Sequence, residues 1–242
     1  MRSLNGHIPF ARDHFRRLVQ GMKVLSINVP KTFSFSFFQK EILKLTKNEH
    51  SRVRFSIYRS EGGLYLPKGK TFHFVIEASP LKKPLFELNA KGLHLGLTKK
   101  VQLSYDSLSP IKSIAALPYI IAATDRQKQK VDDVLILNTK GRIAEANSSN
   151  LFVWTGRRLK TPALTEACIA GVIRKQILGK ANKLGLKVTE TKVTLNDLKK
   201  ARSIFLTNSI QGIRWVNRFE NSIFEPTIGN SLINLLNDLS KK

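Results

Sequence analysis

The residues around Lys112 in the sequence could make its side chain reactive. It follows Pro110 and Ile111 and precedes a run of small apolar residues. Most lysines are solvated surface charges, and that interpretation is open for Lys112 as well. Among apolar neighbours, however, desolvation disfavours the ammonium form and lowers the pKa of the side chain, which leaves an amine able to condense with an aldehyde. The alternative to a surface charge is therefore a nucleophilic lysine.

Glu145 is the second candidate, because small residues surround it in a segment that predicts a strand. Ala144 and Ala146 flank it, so its carboxylate could approach a flat ring closely. A pyridoxal cofactor needs an acid beside its ring nitrogen, since the protonated ring is the electron sink of its chemistry. A solvated glutamate in a turn would have the same local sequence, so both interpretations stay open for Glu145 by itself.

Two short segments could hold the phosphate of such a cofactor. Gly171 opens a predicted helix that continues through Val172 and Ile173. Backbone N–H groups and the dipole at a helix N-terminus attract anions, and a glycine lets the anion approach the main chain. The Thr-Asn-Ser cluster of residues 207–209 follows an apolar strand and adds hydroxyl and amide donors. Ordinary helix caps use the same residue types.

The composition is that of a globular protein with a substantial core. The chain has 242 residues, of which 42% are hydrophobic and 24% charged, enough for one large domain or two modest ones. No apolar run approaches the roughly 20 residues needed to cross a bilayer, and the N-terminus lacks the uninterrupted apolar segment of a secretory signal. We expect no membrane association and a cytoplasmic location.

Cys168 is the single cysteine of the chain. An intramolecular disulfide and a cysteine-rich metal site are therefore excluded, and we expect no metal in the site. The neighbours of Cys168 are Ala167, Ile169 and Ala170. This apolar setting favours a buried hydrophobic side chain over a reactive thiol.

The formal net charge of +24, from 41 Lys and Arg against 17 acids, raises the question of nucleic-acid binding. The basic residues are scattered along the chain. The sequence contains no aromatic RNA-binding signature, zinc-finger spacing or basic-region heptad. Nucleic-acid recognition is therefore disfavoured, and a positive surface can also steer small anionic substrates.

The hydrophobic periodicity predicts two parts that meet near residues 80–84. The segment Ser-Pro-Leu-Lys-Lys-Pro breaks the pattern, so we place a small domain at residues 1–82 and a larger one at residues 83–242. Predicted helices are 11–26, 36–46, 114–127, 171–184 and 195–200. Predicted strands or extended segments are 52–59, 71–78, 92–97, 100–105, 133–138, 143–146, 150–154, 187–193 and 203–206.

Together these motifs resemble those of one known family, the class IV aminotransferases, which are the fold-type IV pyridoxal phosphate enzymes. The matching segments, in order and spacing, are residues 145–152 (Glu-Ala-Asn-Ser-Ser-Asn-Leu-Phe), 161–162, 171–174 and 206–209. Branched-chain and D-amino acid transaminases and 4-amino-4-deoxychorismate lyase belong to this family. The resemblance implies an α/β fold like that of D-amino acid aminotransferase, with a small α/β domain and a larger β-barrel-like domain. It also implies bound pyridoxal 5'-phosphate and a homodimer that takes a small anionic, amino-acid-like substrate.

The resemblance also implies a role for each matching residue. Lys112 corresponds to the lysine that carries the cofactor and moves a proton, and Glu145 to the partner of the ring nitrogen. Arg17, in the His-Phe-Arg-Arg-Leu segment of residues 14–18, corresponds to the arginine that grips the phosphate, a dianion that suits an arginine fork. The other phosphate contacts are implied for the backbone N–H groups of Val172 and Ile173 and for Ser209 and Asn208.

The sequence departs from the family pattern at three places. Ile173 replaces a usual threonine, so only its backbone contact with the phosphate is expected. Ala115 and Ala116 lie where relatives often have an asparagine or a tyrosine. Relatives also have a segment ahead of the position at which this chain begins, so we expect the family's first strand to be missing.

The sequence leaves three candidate functions, two of them enzymatic. Residues 206–209 resemble the asparagine-bearing form of aminodeoxychorismate lyases, which favours elimination of pyruvate to give p-aminobenzoate, a folate-pathway reaction. A branched-chain or D-amino acid transaminase is the alternative, in which the abstracted proton returns to the cofactor. Arg54 and Arg214 are candidates either for binding a substrate carboxylate or for a structural role. A cofactor-poor basic binding protein is the remote alternative.

Overall fold

The computed structural model describes residues 1–47, 49–69 and 71–241. Contacts group the chain into two compact units, Met1–Leu85 with the last residues from Ser240, and Phe86–Leu239. The division expected from the sequence, at residues 82 and 83, stays a prediction about independent domains. In the described part of the chain, no helix is both long and apolar enough to cross a membrane.

The first unit is a three-stranded antiparallel sheet with two helices. Its strands pair in the order β1-β2-β3. The elements are β1 (Arg2–Ser3), α1 (Ala11–Val24), α2 (Phe35–Thr46), β2 (Ser51–Arg59) and β3 (Phe72–Pro80).

One face of this sheet is covered. β2 begins with alternating buried and exposed residues, the pattern of a strand with one face against a core. Its buried Val53 and Phe55 pack in one cluster with Phe38 of α2. α2 begins where a side chain caps it, since the N–H of Phe37 donates to Ser34 Oγ at 3.2 Å.

The second unit is a mixed sheet with helices. The strands follow the order β6-β5-β4-β11-β10-β7-β8-β9, and β12 pairs with β11. The sheet curls into a half-barrel, so the expected α/β class with a barrel-like larger part is confirmed. The elements are β4 (Leu93–Leu97), α3 (Leu117–Gln129), β5 (Asp133–Leu137), β6 (Ile143–Ala146), β7 (Asn150–Trp154), β8 (Arg158–Pro162), α4 (Val172–Lys180), β9 (Lys187–Thr191), α5 (Leu195–Lys199), β10 (Ser203–Asn208), β11 (Gly212–Phe219), β12 (Ser222–Ile223) and α6 (Gly229–Ser240).

Two strands of this unit, β6 and β7, are buried along their whole length. The apolar run of β5 is typical of a strand covered on both faces, and its Leu135 and Ile136 are fully buried. β6 pairs with β5 so that Glu145 lies opposite Ile136. The carboxylate of Glu145 therefore starts from backbone that is fixed in the core.

Two predicted elements near Lys112 need correction. Residues 100–105 do not form a strand, because Leu103 makes only an isolated bridge with Asn138. The helix expected from Ile114 begins at Leu117 instead. Pro118 explains the difference: proline lacks the N–H that a helix interior requires, so it is tolerated in the first turn and forces the helix to begin just before it.

Five elements have no counterpart among the predictions from sequence. β1 and β12 have two residues each, too few to give a periodic signal. The sequence of β8 predicts a turn and a loop, because Arg158 and Lys160 alternate with only one large apolar residue, Leu159. The predicted set also lacks β11 and α6.

Candidate active site

Glu145 accepts three hydrogen bonds in the interior of the second unit. The hydroxyl of Tyr119 donates to Oε1 at 2.6 Å. Asn150 Nδ2 and the backbone N–H of Ile169 each donate to Oε2 at 3.1 Å. Only 2% of the residue is exposed. A turn glutamate in solvent, which was one interpretation of the sequence, is therefore excluded.

Burial and hydrogen-bond donors act on the pKa of Glu145 in opposite directions. Burial raises the pKa of its carboxyl to about 7, while the bonds from Tyr119 and Ile169 and the charges of Lys112 and Arg174 act in the opposite direction. Burial has the larger effect, because a carboxylate without water loses much of its solvation. The Glu145 carboxyl is thus a weaker acid than an exposed glutamate, and loss of a donor would raise its pKa further.

Tyr119 stays a neutral donor in this arrangement. Burial raises the pKa of its phenol, and the nearby charge of Glu145 raises it further. The residue lies in the first turn of α3, directly after Pro118. The turn that was only expected to tolerate a proline therefore also positions a hydroxyl on the buried carboxylate.

Lys112 lies in the loop before α3, and this loop contacts the segment that leads into α4. The N–H of Ala170 donates to the carbonyl oxygen of Pro110 at 3.0 Å. The charge of Lys112 lowers the pKa of Glu145, so the two side chains lie within electrostatic range of each other. Lys112 is exposed in this chain, and so is Ile114. The desolvation of Lys112 expected from its apolar neighbours is therefore wrong for the isolated chain, because Ile111 is buried while Lys112 and the residues that follow it are exposed.

The N-terminus of α4 lies against Asn150. Gly171 is the N-cap residue, and the N–H groups of Val172 and Ile173 belong to the first turn, which has no preceding helical carbonyls. The side chains of Val172 and Ile173 are buried, so the backbone is what this turn presents. A Cβ atom on Gly171 would overlap Asn150 Oδ1. The glycine is thus required by close packing against Asn150, a reason that the sequence did not reveal.

The Thr-Asn-Ser cluster ends β10 and lies next to the 145–152 segment. Asn208 Nδ2 donates to Ser149 Oγ at 3.0 Å, and Asn208 Oδ1 accepts the N–H groups of Ile210 and Gln211. Asn208 therefore fixes the turn between β10 and β11. Ser209, the next residue, is half-buried in that turn. The structure brings residues 145–152, 169–171 and 207–209 together.

A partly buried ion pair stabilises the same loop. Arg142 Nε and Nη2 donate to the two carboxylate oxygens of Glu166 at 2.6 and 2.9 Å, and Asn138 Nδ2 donates at 2.7 Å. Burial alone would raise the pKa of Glu166, but these bonds outweigh it and lower the pKa. The pair joins the turn before β6 to the segment before α4, the two pieces that meet at Glu145.

Arg17 and Cys168 complete the predicted set. Arg17 lies on α1 in the first unit, and burial lowers the pKa of its guanidinium. His14 is on the same helix one turn earlier and is buried. The part of Arg17 in phosphate binding stays a prediction. Cys168 is buried, as expected, and burial raises the pKa of its thiol to about 12.

Two residues of the site were missed by sequence reasoning. Asn150 stood inside the quoted 145–152 motif but received no role, although a lone amide at the start of an apolar strand was a usable signal. Tyr119 had no comparable signal. It is 26 positions from Glu145 in sequence, and only the fold brings the two together.

Comparison with known proteins agrees with this geometry. The pattern of the amino-transferase class IV family matches residues 1–219. A Thermotoga maritima protein with the provisional name branched-chain-amino-acid aminotransferase is 30% identical over 226 residues, which cover 91% of this chain and 77% of that protein.

Solved structures share the fold. A Legionella pneumophila protein with the provisional name 4-amino-4-deoxychorismate lyase has a TM-score of 0.86 at 25% identity, covering 98% of this chain and 88% of that one. An aminotransferase from Brucella abortus, crystallised with the cofactor PLP, has a TM-score of 0.84 at 20% identity, covering 100% and 87%. Family pattern, sequence relative and fold lead to one conclusion: the chain belongs to the class IV aminotransferase family, whose members are pyridoxal phosphate enzymes.

Proposed function

We propose that the chain is a pyridoxal phosphate-dependent aminotransferase that acts on small, carboxylate-bearing amino acids. The observation that carries this proposal is the buried carboxylate of Glu145 with its three donors. Burial of a carboxylate is costly, so a strand that holds one among alanines points to a partner that needs the charge. The ring nitrogen of pyridoxal phosphate is such a partner.

The residues around Glu145 fit this cofactor. Oε1 accepts one hydrogen bond, from Tyr119, and a carboxylate oxygen can accept two. When bound, pyridoxal phosphate supplies an electron sink that makes the α-carbon of the substrate acidic.

Lys112 is the residue that we propose to hold the cofactor and to move the proton. Its charge acts on Glu145, which supports a place in the same site. Its exposed side chain is accessible to molecules in solution. In the proposed reaction, Lys112 Nζ would take the proton from the α-carbon of the substrate and give it up to the cofactor carbon, so that one amine serves first as base and then as acid.

The phosphate is proposed to bind at the first turn of α4 and at the turn after β10. The N–H groups of Val172 and Ile173 supply the helix N-terminus, and Ser209 and Asn208 supply polar groups. Arg17 is also proposed to bind the phosphate, because the planar donors of its guanidinium match that group. These residues do not react, and their part is to fix the orientation of the ring relative to Lys112 and Glu145.

Aminotransfer is ranked above pyruvate elimination because of the name carried by the Thermotoga maritima relative. Elimination from aminodeoxychorismate is the second candidate. It is favoured by the Thr-Asn-Ser sequence of residues 207–209 and by the similarity to the Legionella pneumophila protein. The two reactions share the first proton removal by Lys112 and differ in what happens to the substrate afterwards.

We also propose that the chain forms a homodimer. Ile114, Leu117 and Ile120, in and just before α3, are more than half exposed. Apolar side chains grouped in this way often mark a surface that a second copy covers. Light scattering of the purified chain should give twice the mass of one chain, and Leu117→Glu should reduce it to one.

The proposed chemistry is tested with Lys112→Ala and with Lys128→Ala, an exposed lysine on α3, as the matched control. Wild-type protein and the control should turn yellow with pyridoxal phosphate, and borohydride should fix the cofactor on Lys112. Lys112→Ala should lose the colour and about a thousandfold or more in turnover, because general acid–base groups contribute at this level. A colourless wild-type protein would refute the proposal.

The reaction type is tested by the need for an acceptor. An aminotransferase should convert branched-chain amino acids only when 2-oxoglutarate is present. A lyase should release pyruvate from aminodeoxychorismate without any keto acid. Pyruvate release without an acceptor would reverse the ranking and leave the roles of Lys112 and Glu145 unchanged.

A further inference from the structure

The hydroxyl of Tyr119 occupies one oxygen of Glu145 at a distance typical of a strong hydrogen bond. The 2.6 Å between Tyr119 Oη and Glu145 Oε1 falls in the range of a hydroxyl that donates to an ionised carboxylate. The tyrosine is held by the first turn of α3 and by the rigid Pro118 before it. The contact is therefore built into the fold of the second unit.

The other oxygen of Glu145 is already committed. Oε2 accepts Asn150 Nδ2 and the N–H of Ile169, and two bonds are what a carboxylate oxygen ordinarily accepts. Oε1 has one such bond, from Tyr119. A ring nitrogen that bonds to Glu145 would share Oε1 with the tyrosine, so the two would act on the same lone pairs.

Charged and titratable groups face Glu145 from the neighbouring elements. Lys112 precedes α3, and Arg174 lies in α4; both charges favour the ionised carboxylate. Cys168 lies in the segment before α4, and burial keeps its thiol protonated. Tyr119 adds an uncharged donor that touches the carboxylate directly.

We propose that Tyr119 is a positioning residue that keeps the proton shared between Glu145 and the cofactor on the ring nitrogen. The proposal rests on the proposed function. A hydroxyl that donates to Oε1 withdraws charge from that oxygen and makes the carboxylate a weaker base. A weaker base leaves the shared proton on nitrogen, and the protonated ring is the better electron sink. Without the hydroxyl, the proton shifts toward Glu145.

The first test measures the titration midpoint of the Glu145 carboxyl in cofactor-free protein. The titration of Glu145 would be followed by NMR of ¹³C-glutamate protein and assigned with Glu145→Gln. In Tyr119→Phe the midpoint should rise by about one pH unit or more, because a donor to the ionised form is lost. Tyr105→Phe, an exposed tyrosine of the same unit, is the matched control and should leave the midpoint where it is.

The second test locates the proton in the loaded protein. The ¹⁵N NMR shift of ring-labelled pyridoxal phosphate should move toward the unprotonated value in Tyr119→Phe and should not move in Tyr105→Phe. Fluorotyrosine at position 119, a more acidic phenol of nearly equal size, should move it the other way. This replacement keeps the test valid if Tyr119→Phe folds poorly.

The outcomes separate the two proposals. If the wild-type protein takes up no cofactor, the proposed function fails and this inference fails with it. If the wild-type protein binds the cofactor but the ring nitrogen shift is the same in wild-type, Tyr119→Phe and fluorotyrosine proteins, only the inference is overturned. A shift in opposite directions for the two replacements would establish it.

Discussion

Asn150 connects the carboxylate of Glu145 to the loop that leads into α4. Its Nδ2 donates to Glu145 Oε2 at 3.1 Å and to the carbonyl oxygen of Ile169 at 2.8 Å. An amide nitrogen has two N–H bonds, so both are used. The amide therefore fixes the carboxylate and the loop relative to each other, which a hydrophobic residue of similar size could not do.

Replacing Asn150 tests this connection. Asn150→Ala removes two donors and leaves the oxygens of Glu145 and Ile169 short of partners in the interior, so we expect a loss of about 1–3 kcal/mol in the free energy of unfolding. Chemical denaturation of the cofactor-free protein would measure it. Asn182→Ala, at an exposed asparagine, should change the free energy by less than about 0.5 kcal/mol. Equal losses in both variants would contradict the assigned role.

At the scale of elements, periodicity predicted the apolar strands well and the polar ones poorly. β6 and β7 were predicted with the observed bounds, because a short run of apolar residues is itself the signal of a buried strand. β8 was not predicted, because its sequence is mostly polar. It is a strand because it pairs with β7 and β9. Long-range pairing of this kind has no local signal.

The site follows the same rule. Glu145, Lys112 and the start of α4 were recognised because their local sequence and their order along the chain match a family pattern. The contact of Tyr119 with Glu145 depends on the meeting of α3 and β6, and the close packing of Gly171 against Asn150 depends on the meeting of α4 and β7. The local sequence therefore indicates the groups that we propose to react, and it gives no signal for the residues that hold them in place.

The start of α4 provides a prediction at this scale, with a control in the same helix. Gly171→Ala places a methyl group against Asn150 Oδ1, and such overpacking costs about 1–3 kcal/mol of unfolding free energy. A methyl group on Gly179 would meet no neighbouring atom within 4 Å, so Gly179→Ala should stabilise by about 0.5–1 kcal/mol.

The double variant Gly171→Ala with Asn150→Ala separates sterics from other causes. Because the second change removes the atom that the methyl group meets, the combined loss should be smaller than the two single losses added together. Additive losses, measured by denaturation of the wild type, both single variants and the double variant, would show that the glycine is needed for another reason.

Across the whole molecule, each unit buries an ionisable group, and the two act on stability with opposite sign. In the first unit, burial lowers the pKa of His14 well below its ordinary value of 6.5. The contribution of His14 to the free energy of unfolding is lost as the pH falls, because the unfolded chain then takes up a proton on this side chain and the folded chain does not. In the second unit, burial raises the pKa of Glu145 from 4.5 to about 7. Between pH 4.5 and about 7, the folded chain therefore keeps a proton on Glu145 that the unfolded chain has released.

Glu145 should therefore make the cofactor-free protein less stable as the pH rises from 4.5 to about 7. Its favourable contribution is complete below the unfolded pKa and is lost as the pH passes through the folded one, a change of about 3 kcal/mol for this shift. Glu145→Gln cannot titrate, so the free energy of unfolding of the wild type minus that of the variant should decline across this window and level off above it. Glu225→Gln, at an exposed glutamate, should give a flat difference. A flat difference for Glu145→Gln as well would mean that its carboxyl titrates as it does in the unfolded chain, and that the donors around it fully offset its burial.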